Sequence, residues 1–371
     1  MRTLNRLALV VYVCSWAAAA SAQQIGDKIV VKTDEASVRS KEATTGKVPK
    51  GEILVVKDAN GDRLWVIYSS GHGTARGWIN RSVVIPFSQA LVFFNDELKR
   101  SPTARAYAIR GKLWTENYDF DKALSDLNEA IRLDPKHAAF WVRRSSAWLG
   151  KKEYDKALAD CNEAIRLDPT NAWAYDNRGI AWGQKREFGK AMADFNEAIR
   201  LDPNDATIYN NRAGVWFSKK DVDTAMSDVS KAIRLDPTNP RSYVSRGLLW
   251  RFKEEHDKAI ADYDEAIRLD PTFPPPWNER ARLAVTCGDA TYRNGKKAVQ
   301  DATKACELTA WKNERYLITL AAAYAETGDF VSAIKLQEKA IELAPQESKD
   351  PFTYFLERYK AHKPYRDEPK K

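Results

Sequence analysis

The hexapeptide AIRLDP, residues 130–135, occurs five times in this sequence of 371 residues. The copies begin at Ala130, Ala164, Ala198, Ala232 and Ala266, so each starts 34 residues after the previous one. Every copy ends in proline, which lacks a backbone N–H and clashes with the preceding turn, so it cannot continue a helix. A fixed period of this length is typical of chains that stack one supersecondary unit many times. The repeat therefore predicts stacked helix pairs, each of which needs a neighbour to bury its apolar face.

Further landmarks recur with the same period when Ala123 is counted as position 20 of a 34-residue unit. Position 4 is aromatic in five successive units, and position 11 is tryptophan in each of them: Trp114, Trp148, Trp182, Trp216 and Trp250. Positions 4, 7, 8 and 11 share one side of a helix at 100° per residue. We therefore interpret these tryptophans as core side chains.

The period and the landmarks resemble the tetratricopeptide repeat. The resemblance implies a mainly α fold, a right-handed α-solenoid whose concave side is lined by the first helix of each pair and binds peptides or partner proteins. We expect seven repeats over 103–345, the last two degenerate. Capping helices are expected at 88–102 and 350–361, with a tail over 362–371.

Residues 27–86 differ from the rest, with short β-branched and aromatic runs separated by turn signals such as Asn60-Gly61. The stretches ASVRS (36–40), GKVPKGEILVV (46–56), GDRLWVIY (61–68) and GWIN (77–80) resemble the bacterial SH3-like domain. The resemblance implies a small β-barrel that binds cell-wall peptide or another protein. Its possible binding face comprises Trp65, Tyr68 and Trp78.

The first 22 residues combine a basic start, an apolar run and Ala20-Ser21-Ala22. This pattern predicts a secretory signal peptide cleaved after Ala22, and hence a periplasmic or secreted protein with no stable membrane insertion after cleavage. An uncleaved anchor is the alternative. Val13 precedes Cys14 where a lipoprotein acceptor normally follows a small residue, which disfavours lipidation.

The sequence favours binding over catalysis. Its four histidines, His72, His137, His256 and His362, share no ligand spacing, so we expect no metal site. There is no phosphate-binding glycine loop, nucleophile elbow or C-x-x-C motif. We therefore expect neither a cofactor nor enzymatic activity. The net charge is +8, but the basic residues are interleaved with acids, which disfavours a nucleic-acid partner.

Three cysteines follow the leader: Cys161, Cys287 and Cys306. Cys161 occupies a position that is apolar or aromatic in the other repeats, so we interpret it as a core residue. The other two lie near opposite ends of antiparallel helices, roughly 15 Å apart at 1.5 Å rise per residue. A disulfide needs Cα atoms within about 7 Å, so we expect none.

Arginine at position 7 and aspartate at position 23 vary together. Both occur in repeats one to six, and repeat seven has Leu320 and Leu336 instead. If each aspartate met the arginine of the next repeat, Asp301 would face Leu320. We therefore predict ion pairs within repeats. The alternative is that each arginine extends along the surface to water.

Positions 2, 5, 6, 9, 12 and 13 face away from this core stripe, and a plain solvated face would be mostly charged there. In repeats three to five the face is instead mixed, and it forms our candidate peptide surface: Trp173, Asp176, Asn177, Ile180, Asn210, Asn211, Phe217, Arg241, Leu248, Arg251 and Phe252. Asparagine can bond both edges of a peptide backbone, and aromatic residues with arginine are enriched in binding hot spots. The mixture favours an extended peptide with an acidic group near Arg241 and Arg251. Packing between neighbouring repeats is the alternative.

Two functions fit these features. The first is an extracytoplasmic scaffold that binds a protein or peptide in the groove. The second is an envelope-anchored adaptor whose SH3-like domain binds peptidoglycan while the repeats recruit an enzyme.

Overall fold

A computed structural model describes residues 28–39, 44–70, 73–344 and 349–365. The chain divides into two compact units, Met1–Ile208 and Tyr209–Lys371. The expected signal peptide, 1–22, lies outside the described residues. Among the residues described, no helix combines the length and the apolar composition needed to cross a membrane.

The first unit begins with a strand-rich domain. Its strands are β1 (Lys28–Val31), β2 (Glu35–Arg39), β3 (Thr44–Pro49), β4 (Ile53–Asn60), β5 (Arg63–Ser70), β6 (Gly73–Asn80) and β7 (Val84–Pro86). They form antiparallel ladders in the order β3-β2-β6-β5-β4-β1-β7. Gly61 supplies the left-handed φ of 56° at the turn between β4 and β5.

Alternate side chains of these strands build a separate apolar core. Leu64 faces Ile79 across β5 and β6, and both are buried with Ile29, Val38 and Leu54. Within the described ranges no pairing joins β3 to β7, so the ladder is not closed. The strand-rich domain is therefore observed, whereas its expected form, an SH3-like barrel, is not confirmed.

Sixteen α-helices follow in the described residues. They are α1 (Phe87–Arg100), α2 (Ala104–Glu116), α3 (Phe120–Leu133), α4 (Ala138–Gly150), α5 (Tyr154–Leu167), α6 (Ala172–Gln184), α7 (Phe188–Leu201), α8 (Ala206–Ser218), α9 (Val222–Leu235), α10 (Pro240–Phe252), α11 (His256–Leu269), α12 (Pro274–Thr286), α13 (Gly295–Leu308), α14 (Glu314–Glu326), α15 (Phe330–Leu343) and α16 (Lys349–Lys360). The even-numbered helices α2 to α14 are the first helices of the seven repeats, and α3 to α15 are the second helices.

The repeated hexapeptide ends each second helix by a local mechanism. Its alanine is fully buried, as at Ala164. Its aspartate has left the helical conformation, and Asp168 Oδ1 accepts the backbone N–H of Thr170 at 3.0 Å. The same bond joins Asp236 to Thr238 at 3.0 Å. The proline between them cannot donate, so the helix stops and the chain turns into the next repeat.

The predicted ion pairs within repeats are confirmed, and each is bidentate. Arg144 Nε lies 2.8 Å from Asp160 Oδ2, and Arg144 Nη2 lies 2.6 Å from Asp160 Oδ1. The same geometry occurs in all six pairs: Arg110–Asp126, Arg144–Asp160, Arg178–Asp194, Arg212–Asp228, Arg246–Asp262 and Arg280–Asp301. The aspartates are buried and the arginines half-buried, so the alternative of arginines extended to water is wrong.

A third bond, which the sequence analysis missed, links successive repeats. Arg144 Nη1 donates to Asn128 Oδ1 at 2.8 Å, and Arg178 Nη1 donates to Asn162 Oδ1 at 2.9 Å. Each asparagine lies on the second helix of the preceding repeat. One guanidinium therefore joins three helices and fixes the stacking of one repeat on the next.

The position-11 tryptophans are half-buried rather than enclosed. Each packs against a core cluster on one side, and a lysine ammonium lies over its ring, as Lys190 does over Trp182 at 4.4 Å. In repeat four Thr224 replaces that lysine, and Lys219 covers Trp216 at 4.7 Å from the preceding turn. The rings therefore seal the edge of the core against solvent.

Candidate functional site

We call positions 2, 5, 6, 9, 12 and 13 of each repeat, which face away from the core stripe, the groove positions. The strand-rich domain covers several of them in the first two repeats. Ile109, at position 6 of repeat one, is buried with Val30, and a Cβ on Gly51 would lie 2.3 Å from Ile109 Cγ1. Gly51 also has a φ of 83°, so both sterics and backbone require glycine there. Arg105, at position 2, donates to the carbonyl of Asp34 at 2.9 Å.

Glu52 is the electrostatic centre of this contact. Its carboxylate is buried, and it accepts from Lys112 Nζ at 2.5 Å and from Arg143 Nη2 at 2.8 Å. Lys112 is position 9 of repeat one, and Arg143 is position 6 of repeat two. Burial alone would raise the pKa of Glu52, but Lys112 and Arg143 hold that pKa below its ordinary value. The groove face of these two repeats is therefore occupied by the chain itself.

In repeat three the candidate residues largely pack against their neighbours. Asp176 is buried. The Asn177 amide donates to Ser145 Oγ and Ser146 Oγ, both at 2.9 Å, and to the carbonyl of Val142 at 3.2 Å. Trp173 is half-buried and donates to Asp205 Oδ2 at 3.1 Å. The expectation that Asp176 and Asn177 face solvent is wrong, because short side chains on α4 leave room for α6 to pack closely.

The corresponding face of repeats four and five is more open. Phe217 is 39% exposed, Leu248 36% and Phe252 46%. The rings of Phe217 and Phe252 meet edge to face, with centroids 5.3 Å apart, across α8 and α10. Arg241 is exposed, and its guanidinium lies 5.2 Å from the ring centroid of Phe273. This face therefore carries an apolar cluster near the end of α10 and a solvated cation, Arg241, near its start.

Other polar candidates on this face bond within the fold, although Asn210 Oδ1 accepts no hydrogen bond from a described residue. The Asn210 amide donates to Ser242 Oγ at 2.7 Å, and Asn211 is half-buried with contacts of its own in the fold. Arg251 Nη1 lies 3.4 Å from Glu279 Oε2, and only 17% of the Arg251 side chain is exposed. Arg251 is therefore already paired with an acid of this chain, Glu279 at position 6 of repeat six, where we expected an acidic group of the bound peptide. The sequence analysis did not include Glu279 in the candidate surface, although position 6 is one of the positions that define that surface.

The alternative face on the strand-rich domain is partly described. Trp65 pairs with Trp78 in the register of β5 and β6, and their rings meet edge to face with centroids 5.4 Å apart. Both rings are half-buried. The side chain of Tyr68 lies outside the described part of the structure.

The cysteines of the described residues are enclosed. Cys161, Cys287 and Cys306 are free thiols and all three are buried. Burial raises the pKa of Cys161 to about 12 and that of Cys306 to about 12, so both remain protonated at neutral pH. Within the described ranges, no group of three His, Cys, Asp or Glu side chains is arranged to hold a metal ion.

Comparison with known proteins gives concordant results for the helical part. Two tetratricopeptide repeat family models match the chain, one over residues 115–172 and 179–240, the other over 240–273 and 314–347. The comparison with curated proteins found no match.

Two solved structures are similar in fold. The APC/C hetero-tetramer Cut9–Hcn1 superposes with a TM-score of 0.59 at 14% identity, over 74% of this chain and 52% of that chain. Yeast Tom70 superposes with a TM-score of 0.55 at 22% identity, over 74% of this chain and 59% of that chain. The chain therefore spans little more than half the length of these relatives. The 34-residue period, the paired helices and both family matches agree, and the chain belongs to the tetratricopeptide repeat family.

Proposed function

We propose that this protein is a non-catalytic interaction scaffold, and that it holds an extended peptide segment of a partner protein against the first helices of repeats four and five. Tetratricopeptide repeat proteins generally mediate protein–protein interactions, which supports a protein or peptide partner. The observation that carries the proposal is the exposed cluster of Phe217, Leu248 and Phe252 on adjacent groove positions.

The composition of this cluster indicates the chemistry of the peptide. Aromatic side chains that are already held edge to face lose little entropy when a partner covers them. Arg241 is solvated and forms no ion pair with a described residue, so it can receive an acidic side chain. The peptide we propose therefore presents an apolar side chain to Phe252 and an acidic one to Arg241.

A displayed library of random peptides, selected on the purified full chain, tests this function. We expect enrichment of peptides that pair an acidic residue with a large apolar one. Phe252→Ser combined with Arg241→Ala should reduce binding of the selected peptides at least tenfold. Val331→Ser is the matched control, because Val331 is 81% exposed on α15 and lies outside the groove positions. Undiminished binding by the double variant would place the site elsewhere.

We further propose that the protein acts outside the cytoplasm, as a periplasmic or secreted protein. The support is the sequence of residues 1–22, with its basic start and Ala-Ser-Ala end. Mass spectrometry of the protein isolated from its native source should find Gln23 as the first residue. A retained Met1–Ala22 segment would refute cleavage.

A second candidate is that the strand-rich domain is an SH3-like module that binds peptidoglycan and anchors the repeats in the envelope. The Trp65–Trp78 pair favours it, because half-buried aromatic rings on a sheet face suit peptide or sugar ligands. Cosedimentation of the full chain with insoluble peptidoglycan tests this. The full chain is required because the repeats cover part of the domain. Loss of cosedimentation in Trp65→Ala, with binding of the selected peptides retained, would support the adaptor role.

A further inference from the structure

A cavity of about 560 Å³ lies in the second unit between α12, α14 and α16. The two first helices contribute groove positions of repeats six and seven, and α16 with the residues after it supplies Phe355, Tyr359 and Tyr365. The volume falls within the range of small-molecule sites, roughly 300–1,000 Å³. The cavity does not share its lining with the Phe217–Phe252 cluster.

Two buried polar atoms in the cavity wall lack partners within the described part of the chain. Asn278 and Thr286 are each 5% exposed. The Asn278 amide nitrogen donates to Glu279 Oε1 at 3.1 Å, but Asn278 Oδ1 accepts no hydrogen bond, and Thr286 Oγ1 forms none. A buried polar group without a hydrogen-bond partner destabilises the fold. A bound group that donates to Asn278 Oδ1 would supply that oxygen with its missing partner.

The charges in the wall favour an anion. Glu279 is the acid of the wall, and its Oε2 already lies 3.4 Å from Arg251 and 3.6 Å from Arg282. Arg315, on α14, lines the cavity and pairs with no carboxylate among the described residues. Its planar guanidinium can bind a carboxylate with two parallel hydrogen bonds.

The remaining wall is apolar. Val285, Ile318 and Ala322 lie on the repeat helices, and Phe355 faces them from α16. The ring of Phe355 is held by Tyr365, with centroids 4.8 Å apart. This wall suits an aromatic or branched body rather than a fully polar ligand.

We infer that this cavity is a small-molecule site for an amphipathic carboxylate that carries an N–H or O–H donor and an apolar body. Arg315 binds the carboxylate, Asn278 Oδ1 accepts the donor, and the apolar wall covers the body. The site is additional to the peptide surface of repeats four and five and does not depend on it.

N-acetyl-L-phenylalanine is a probe with all three features. Calorimetric titration of the full chain should show saturable binding of this compound. N-acetyl-L-phenylalaninamide lacks the carboxylate, and 3-phenylpropionate lacks the N–H, so each should bind at least tenfold more weakly. Equal binding of all three compounds, or no saturable binding of N-acetyl-L-phenylalanine, would overturn the inference.

Two variants assign the contacts. Arg315→Gln removes an exposed charge and should lower the affinity for N-acetyl-L-phenylalanine to that for its amide. Lys312→Gln is the control, since it removes an exposed charge nearby without lining the cavity. Asn278→Leu should reduce the preference for N-acetyl-L-phenylalanine over 3-phenylpropionate at least threefold. Unchanged affinity in Arg315→Gln would refute the site, whereas Phe252→Ser should affect peptide capture alone.

Discussion

Arg143, on the first helix of repeat two, donates to Glu52 of the strand-rich domain at 2.8 Å. The contact places an acid from the N-terminal domain on a groove position of the helical array. Glu52, Gly51 and their neighbours therefore cover the first helices of repeats one and two.

Replacement of Glu52 by alanine should lower the free energy of unfolding of the first unit by about 3 kcal/mol. Removing one partner of a buried ion pair typically costs about 3–5 kcal/mol. We expect the low end, because Lys112 and Arg143 each keep about a fifth of the side chain exposed. Urea unfolding measures the change. Glu129→Gln, which breaks an exposed pair with Arg132, is the control and should leave the midpoint unchanged.

The Glu52 contact should also depend on pH. A carboxyl whose pKa is lower in the folded state than in the unfolded state stabilises the fold fully above its unfolded pKa, near 4.3. This contribution is lost as the pH falls through the folded pKa, because protonation then removes the charge that Lys112 and Arg143 bind. The difference in unfolding free energy between the wild type and Glu52→Gln should therefore be constant from about pH 5 to 8 and shrink below about pH 4. A difference that grew on acidification would contradict this assignment.

The intra-repeat ion pairs can be tested with the substitution that repeat seven already carries. Arg144→Leu alone should destabilise the fold by about 3–5 kcal/mol, since it leaves Asp160 buried without its partner. Arg144→Leu combined with Asp160→Leu reproduces the Leu320 and Leu336 combination and should recover most of that loss. A double-mutant cycle in urea measures the coupling. Additive effects of the two changes would show that the pair does not interact.

The turn between the helices of a repeat provides a backbone test. Arg186 has a φ of 61° and Gly328, at the same position of repeat seven, has a φ of 85°. A left-handed conformation costs a residue with a Cβ about 1–2 kcal/mol. Gly328→Ala should therefore destabilise by about 1 kcal/mol, since nothing lies within 4 Å of the added Cβ to change the result. Arg186→Gly should be neutral or stabilising by thermal denaturation, and a loss comparable to that of Gly328→Ala would refute the backbone explanation.

The buried thiols predict a simple chemical result. Cys161 and Cys306 are buried and protonated at neutral pH, and Cys287 is also buried. Iodoacetamide should label none of the three in the folded protein at pH 7.5 and all three in urea. Labelling of Cys287 or Cys306 in the folded protein would show that the α12–α13 region opens under native conditions.

The sequence by itself determined the helical array. The 34-residue period, the buried alanines and the Asp-Pro helix ends depend on contacts within a repeat or between adjacent repeats. Five copies of one motif in the sequence are therefore enough to specify them. The sequence also identified the Arg–Asp pairs, because repeat seven loses both partners together. The sequence pattern did not identify Asn128 and Asn162, whose side-chain oxygens accept the third hydrogen bond of each guanidinium group. The residue type at their position differs between repeats.

Only the tertiary structure decided which parts of the groove are available. Helical position arithmetic assigns Asn177 and Phe252 to the same face, but Asn177 bonds to serines on α4 whereas Phe252 remains exposed. Likewise, nothing in the period shows that Glu52 contacts Arg143 or that Phe355 and Asn278 line one cavity. Glu52 and Arg143 are 91 positions apart, and Glu52 and Phe355 belong to elements that occur once in the chain rather than in every repeat. Periodicity fixes what each repeat shares with the next, and packing between unlike elements fixes which side chains are left to bind.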